Sequence, residues 1–192
     1  KQPTKPSHVP DPNRGFGERV FTARIWGARG SMAAVSEDTV RYGGNTACVE
    51  VTCDTRTLIL DAGSGLRQLG DRLVGDFARI DARGMERTPL HLLFTHCHYD
   101  HISGLPFFAP FFDKAADIHI WSGHMKGPDK TARMMNEYMK PPFFPVSPDV
   151  FTANLTLHDF EPGDRLHPAP GIEISTISLD HHNGCVGYRI DF

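Results

Sequence analysis

The stretch Thr95-His96-Cys97-His98-Tyr99-Asp100-His101 sets three imidazoles and one carboxylate within six consecutive positions, and few folds can hold such a cluster without using it. Histidine and aspartate are nitrogen and oxygen donors that suit Zn²⁺ and related divalent ions, and the density of the set points to two ions rather than one. A histidine-rich surface loop or a group of core histidines would explain any one of these residues. It does not explain all four together, because clustered ligands at strand ends are characteristically functional.

The flanking sequence fixes how the cluster is presented. Leu90-His91-Leu92-Leu93-Phe94 reads as a buried strand, and Ser103, Gly104 and Pro106 follow at once, so the ligands fall on a strand-to-helix loop. In extended backbone, residues i and i+2 project the same way. His96 and His98 are therefore expected to share one ion, with Asp100 and His101 facing a second position, while Cys97 and Tyr99 turn elsewhere.

Further strand patterns run from Val20 to Trp26, Ala47 to Cys53 and Thr57 to Asp61, the second alternating apolar and polar residues, which suggests an antiparallel meander. Leu66, Leu69, Leu73, Val74 and Phe77 recur at helical spacing, with Gly70 and Gly75 each costing about 1 kcal/mol relative to alanine. Asp81 to Thr88 reads as a polar connection. Strands are expected at Asp117 to Trp121, Asn154 to Phe160, Ile172 to Leu179 and Cys185 to Asp191, and a second helix from Pro128 through Met139. Strands in runs with helices interspersed favour a layered α/β sandwich over a doubly wound parallel sheet. Residues 1–17, punctuated by Pro3, Pro6, Pro10 and Pro12, read as an extended arm, leaving 18–192 as one domain.

Composition narrows the function classes. The formal charge of −3 argues against a broadly basic surface for long nucleic acid, although Arg83, Arg87, Lys126, Lys130 and Arg133 are candidates for a local basic patch. No apolar run reaches the roughly 18 residues of a membrane span, and the N-terminus lacks a secretory hydrophobic region. Cys48, Cys53, Cys97 and Cys185 show no paired metal or redox spacing, so reduced thiols in a cytoplasmic protein are expected.

His-x-His-x-Asp-His after an apolar strand resembles the signature of the metallo-β-lactamase-fold hydrolases. Ile25-Trp26-Gly27-Ala28-Arg29-Gly30-Ser31, Arg41-Tyr42-Gly43-Gly44-Asn45-Thr46 and Leu58-Ile59-Leu60-Asp61-Ala62-Gly63-Ser64-Gly65 extend the resemblance. So does Asp180-His181-His182-Asn183-Gly184-Cys185-Val186-Gly187-Tyr188-Arg189-Ile190. Together they are most similar to the phosphodiesterase branch, with its tRNA 3′-processing endonucleases, cyclic-nucleotide phosphodiesterases and phosphoribosyl cyclic phosphate phosphodiesterases. The resemblance implies an αββα sandwich.

It also implies a ligand set: His96, His98 and His181 on one divalent ion, and Asp100 and His101 on the other. His182 rivals His181, only spacing separating the two, and the losing histidine becomes an outer or exposed residue. Zn²⁺ is the expected metal, with Mn²⁺ and Fe as alternatives. The implied chemistry is metal-assisted hydrolysis of a small or cyclic phosphodiester or a nucleotide, with RNA a second candidate, and two ions sharing and acidifying a water. Asp100 is the candidate catalytic residue, orienting the attacking hydroxide or taking its proton. Asp61 is expected to act behind the ligands through hydrogen bonds. Phe107, Phe108, Phe143 and Phe144, in two proline-interrupted aromatic runs, are candidates for a substrate wall, against the alternative that each is core. A homodimer is compatible with this reading.

Competing readings rest on particular residues. A flavodiiron-type reductase carries glutamate where His98 stands, and the best-known subclass of true β-lactamases carries arginine at the position of His101. Thioester or lactone hydrolysis uses the same activated water, but the Gly-Tyr-Arg element favours phosphodiesters. A non-catalytic metal-binding module is the competitor from another class. In the family, a bridging aspartate and a last histidine follow the Gly-Tyr-Arg strand, whereas this chain ends at Phe192. The 192 residues are therefore expected to be the N-terminal part of such a domain, one that either continues or is inactive as it stands.

Overall fold

The computed structural model describes residues 19–192, so the arm expected at 1–17 lies outside the described residues. Strands β1 (Phe21–Gly27), β2 (Cys48–Cys53), β3 (Arg56–Leu60), β4 (Leu90–Phe94), β5 (Asp117–Ser122) and β6 (Asn154–Asp159) form a six-stranded sheet in sequence order. The first three pair antiparallel, as the meander pattern predicts; β3 through β6 pair in parallel. Strands β7 (Arg165–Ala169), β8 (Ile172–Leu179) and β9 (Cys185–Asp191) make a second, antiparallel sheet.

The sequence explains the layering. Strand β4 is buried at every position, so both of its faces must be covered. Leu90, Leu92 and Phe94 face the helices with Ile118 and Ile120, whereas Leu93 faces the second sheet with Val51, Leu58, Ile174 and Val186. Helix α1 (Gly65–Ala82) packs Leu66, Leu69, Leu73 and Phe77 against the larger sheet, and α3 (Lys130–Tyr138) adds Met134 and Met135. Helices, larger sheet and smaller sheet are thus stacked as the first three layers of the αββα order.

Three local departures from the sequence reading have physical causes. Helix α1 continues past Phe77 to Ala82, supported by ion pairs of Asp76 with Arg72 four residues before it and Arg79 three after. Its Gly70 is a packing site rather than a weakness, since a Cβ there would lie 2.9 Å from the Phe108 ring. Strand β7 escapes the pattern because Pro168 interrupts it, and the ladder to β8 shifts register between Leu166 and Ala169. Two of the five basic candidates are taken up elsewhere: Arg87 pairs with Asp81 and Asp113, and Lys130 is buried against Glu161 and the carbonyl of Phe160.

Candidate metal centre

Parallel strands β3 and β4 end side by side, and the loops leaving them meet. Between them lies α2 (Tyr99–Ile102), a short helix that begins within the expected strand-to-helix loop and itself carries Asp100 and His101. Its position is set from behind by the turn after β3: Ala62 N–H donates to the His101 carbonyl at 2.7 Å, and Gly104 N–H donates to the Ala62 carbonyl at 2.8 Å. Gly63 is required here, because a Cβ would sit 2.3 Å from the Asp100 carbonyl oxygen. From the opposite side Val186 N–H on β9 donates to the Thr95 carbonyl at 2.9 Å, and the buried Tyr188 hydroxyl donates to the Phe94 carbonyl at 2.6 Å. Thus the Gly-Tyr-Arg strand braces the ligand loop. Burial pushes the Tyr188 phenol well above its ordinary range, so it remains a donor.

His96, His98 and His181 converge, with one ring nitrogen from each within 4.8 Å of the others. His98 Nδ1 and His181 Nε2 face one another at 3.3 Å. The rings of His96 and His101 lie 4.0 Å apart, and His101 Nε2 is 3.4 Å from Asp100 Oδ2. His182 stays outside the three-imidazole group, exposed, with its ring 6.0 Å from that of His181.

A hydrogen-bond network fixes which nitrogens are free. The Asp61 carboxylate receives the Thr95 backbone N–H at 2.7 Å and the Thr95 hydroxyl at 2.8 Å, and its Oδ2 lies 2.7 Å from His101 Nδ1. An ionised carboxylate only accepts, so His101 Nδ1 carries the hydrogen and Nε2 the lone pair. The Thr95 hydroxyl has spent its one hydrogen on Asp61 and must accept from His96 Nδ1 at 2.9 Å, leaving His96 Nε2 as a second lone pair. Burial, then the neighbouring imidazoles of His101, His98 and His181, hold His96 down to about 4, so it is a neutral donor at pH 7. For His101 burial works downward, but the hydrogen bond and charge of Asp61 win and raise it. Burial alone would raise Asp100; the Ser31 backbone N–H, donating to Oδ2 at 2.8 Å, holds it below the usual carboxylate range.

This donor set fits a divalent ion. Three imidazoles each bring one ring nitrogen within 4.8 Å of the others, with the lone pair of His96 fixed by Thr95, and two further donors, Asp100 and His101, stand beside them. Ser31 and Thr95 are the residues that sequence reading missed. Ser31 adopts φ +65, a conformation costly for a non-glycine residue, and lies 69 positions from Asp100, so no local pattern announces it.

The four phenylalanines separate. Phe108 is fully buried and packs edge-on to Phe111 in the helix-side core; it is no part of a substrate wall, because Gly70 of α1 admits its ring. Phe107 is 57% exposed and Phe143 89% exposed, while Phe144 is half-buried against Phe107. Cys97 packs against the helix-side core, and all four cysteines are free thiols.

Residues 41–186 match the family model of the metallo-β-lactamase superfamily. The chain belongs to that superfamily. No curated protein sequence matches it. Among solved structures, a diphosphatase from the PhnP family superposes with a TM-score of 0.60 at 18% identity, over 89% of this chain and 62% of that one. Zn²⁺-bound PqqB from Methylobacterium extorquens gives 0.55 at 18% identity, over 88% and 58%. The metallo-β-lactamase fold protein YhfI from Bacillus subtilis gives 0.52 at 16%, over 88% and 56%. This member of the superfamily therefore spans 56–62% of the length of these three structures. Among its described residues no helix is long and apolar enough to cross a membrane.

Proposed function

We propose that this chain carries the histidine-rich part of a metal-dependent phosphodiesterase centre. The observation that carries the reading is the convergence of His96, His98 and His181 beside Asp100 and His101, with Asp61 fixing the imidazole tautomers from behind. His96, His98 and His181 would hold one divalent ion, and Asp100 and His101 would contribute to a second; Zn²⁺ suits the nitrogen-rich set. When bound, such ions neutralise phosphoryl oxygens and acidify a water.

The chain's own groups do the rest. Asp61 keeps both Nε2 lone pairs of His96 and His101 available without moving. Asp100 has one oxygen held by Ser31 N–H, which orients the carboxylate; its other oxygen is the group to align the attacking water and accept its proton. His181 is exposed and His98 half-buried, an open rim suited to a tetrahedral phosphodiester with two ester arms. The description of one solved neighbour as a diphosphatase of the PhnP family supports phosphorus over carbon as the site of attack. Thioester or lactone hydrolysis is the second reading, favoured by the same donor set.

The test is a chelator-sensitive assay of the full-length protein against bis(p-nitrophenyl) phosphate, cyclic nucleotides, a tRNA precursor, a thioester and a lactone. Metal-dependent cleavage of a phosphodiester is expected. Cleavage confined to the carbonyl substrates would overturn the phosphodiesterase reading. A metal-replete protein that cleaves none of them, and whose His96→Ala variant loses only metal, would identify a non-catalytic metal-binding module.

A further inference from the structure

A second group of imidazoles lies on the larger sheet, upstream of the ligand loop. His91 on β4, His119 on β5 and His158 on β6 project from the face that also carries Leu93 and Trp121. His119 Nδ1 and His158 Nε2 are 2.8 Å apart, with ring centroids at 5.1 Å and planes inclined by 12°. The centroid distance equals the nitrogen contact plus one ring radius at each end, so the two nitrogens meet head-on. That is the geometry of one shared hydrogen; two imidazoles on a tetrahedral zinc would hold their nitrogens about 3.3 Å apart and aim them off this line.

The surroundings allow the pair one extra proton and no more. His119 Nε2 lies 3.7 Å from Asp117 Oδ2, so a doubly protonated His119 directs one hydrogen to His158 and the other toward Asp117. A second proton would make both facing nitrogens N–H groups, and neither could then accept. Trp121 covers the His158 ring, with centroids 3.7 Å apart and planes at 8°. The ring of His91, buried with Nδ1 unpartnered, lies 4.9 Å from that of His119 and offers no negative charge. Among the described residues no other charged or titratable side chain, from these strands or from the second sheet, is within hydrogen-bond or ion-pair reach of the pair.

What the pair holds is the outer strand of the sheet and the helix fastened to it. Strand β6 pairs with β5 alone. Directly after His158, the Asp159 carboxylate accepts the backbone N–H groups of Lys130 and Thr131 at 2.8 and 2.9 Å, anchoring the start of α3. The Thr131 hydroxyl sits 2.9 Å from the His158 carbonyl itself, and Lys130 Nζ donates to the Phe160 carbonyl at 3.0 Å. A shift of His158 therefore acts on every polar anchor of that helix end.

From this arrangement we propose that His119 and His158 form a pH-sensitive latch: acid drives a second proton onto the pair, the head-on contact breaks, and β6 loosens together with the start of α3. Burial, then His119, holds His158 below the ordinary imidazole value, so the opened segment binds the proton more readily than the closed one. The latch is therefore fully closed above about pH 6.5 and weakens as the pH falls from there. For Asp159 burial works upward, but Thr131 and Lys130 hold it below the usual carboxylate range. It stays ionised while the latch opens, and the helix anchor is lost by displacement rather than by its own titration.

The test is amide hydrogen exchange of the metal-loaded full-length protein at pH 7.5 and 5.5, each corrected for the intrinsic exchange rate. Protection of Asn154–Asp159 and of the Lys130 and Thr131 amides is expected to fall about tenfold or more, while Cys48–Cys53 of β2 keeps its protection. His158→Gln and His158→Phe, neither of which takes up a proton, are both expected to abolish the step; the phenyl ring also keeps the stack on Trp121, and both variants leave the metal ligands in place, so a step caused by metal loss would survive them. Imidazole ¹⁵N spectra of the same samples give a second readout: arrival of the second proton on the pair and loss of protection should share one midpoint. Unchanged protection at pH 5.5, a step that survives both variants, one that His91→Phe alone removes, or two separate midpoints would each overturn the latch.

Discussion

Asp61 Oδ2 lies 2.7 Å from His101 Nδ1, joining residues 40 positions apart. The same carboxylate holds the Thr95 hydroxyl, and through it His96. One buried acid thus sets the tautomers of two candidate ligands, one from each half of the centre.

Asp61→Asn tests that arrangement. Asp61 has φ +61, a conformation that asparagine tolerates nearly as well, so the backbone is preserved while an acceptor oxygen becomes a donor. Zinc affinity, read by competition with a chromogenic chelator, is expected to fall about 10–100-fold, the usual cost of losing such an outer partner. Wild-type affinity in this variant would remove Asp61 from the centre.

His181→Ala and His182→Ala separate two adjacent histidines by metal content. The first removes one of the three converging imidazoles and is expected to lose stoichiometric metal at chelator concentrations the wild type withstands; the second is expected to behave as wild type. The reverse order would transfer the ligand role to His182.

How far the sequence carries depends on how far apart the partners lie. The candidate ligand loop was legible because four donors fall within six positions just after an apolar strand. The helix-side core was legible because Leu66, Leu69, Leu73 and Phe77 keep helical spacing on α1. What could not be read is what depends on contact across the fold. Ser31 reaches Asp100 through a backbone N–H that every residue but proline possesses, and the turn conformation that aims it leaves no compositional trace. Phe107 and Phe108 are chemically identical neighbours, yet one is outside and one inside, because only Phe108 meets the space left by Gly70. Pro168 hid β7 by breaking its alternation.

Tyr188→Phe tests the brace under the ligand loop. The change leaves the buried Phe94 carbonyl without the donor now at 2.6 Å, which is expected to cost about 1–3 kcal/mol of unfolding free energy. A urea midpoint indistinguishable from wild type would show that the hydrogen bond adds nothing.

Gly63→Ala tests the close approach behind the loop. The new methyl would meet the Asp100 carbonyl oxygen at 2.3 Å and the Ala47 carbonyl oxygen at 2.6 Å, both backbone atoms. The loop must then shift, so loss of bound metal together with a lowered melting temperature is expected. Retention of full metal content would mean that the turn yields instead.

Acid stability should depend on His91. Burial, then His119 and His158, depress it to about 4, with Asp117 opposing; its Nδ1 is buried without a partner, and His119 Nδ1 lies 2.8 Å from His158 Nε2. A depressed folded-state value means that the unfolded chain binds the proton more readily. The neutral form's stability is therefore complete above about pH 6.5 and is lost as pH falls toward 4, by about 3 kcal/mol for this one group. Urea denaturation of metal-free protein from pH 7.5 to 4.5 should show this decline, and His91→Phe should flatten it. An unchanged slope in the variant would assign the decline to other groups.

The clasp of Ala62 on α2, through its N–H to His101 and its carbonyl to Gly104, works entirely with main-chain atoms. Side chains on the solvent side of that helix are thereby released from any duty in holding the ligands in place. Sequence drift at an exposed position of that helix such as Tyr99 can then change the surface beside the centre while the donors stay where they are. This divides the loop into a part that inheritance must preserve and a part on which selection is free to experiment.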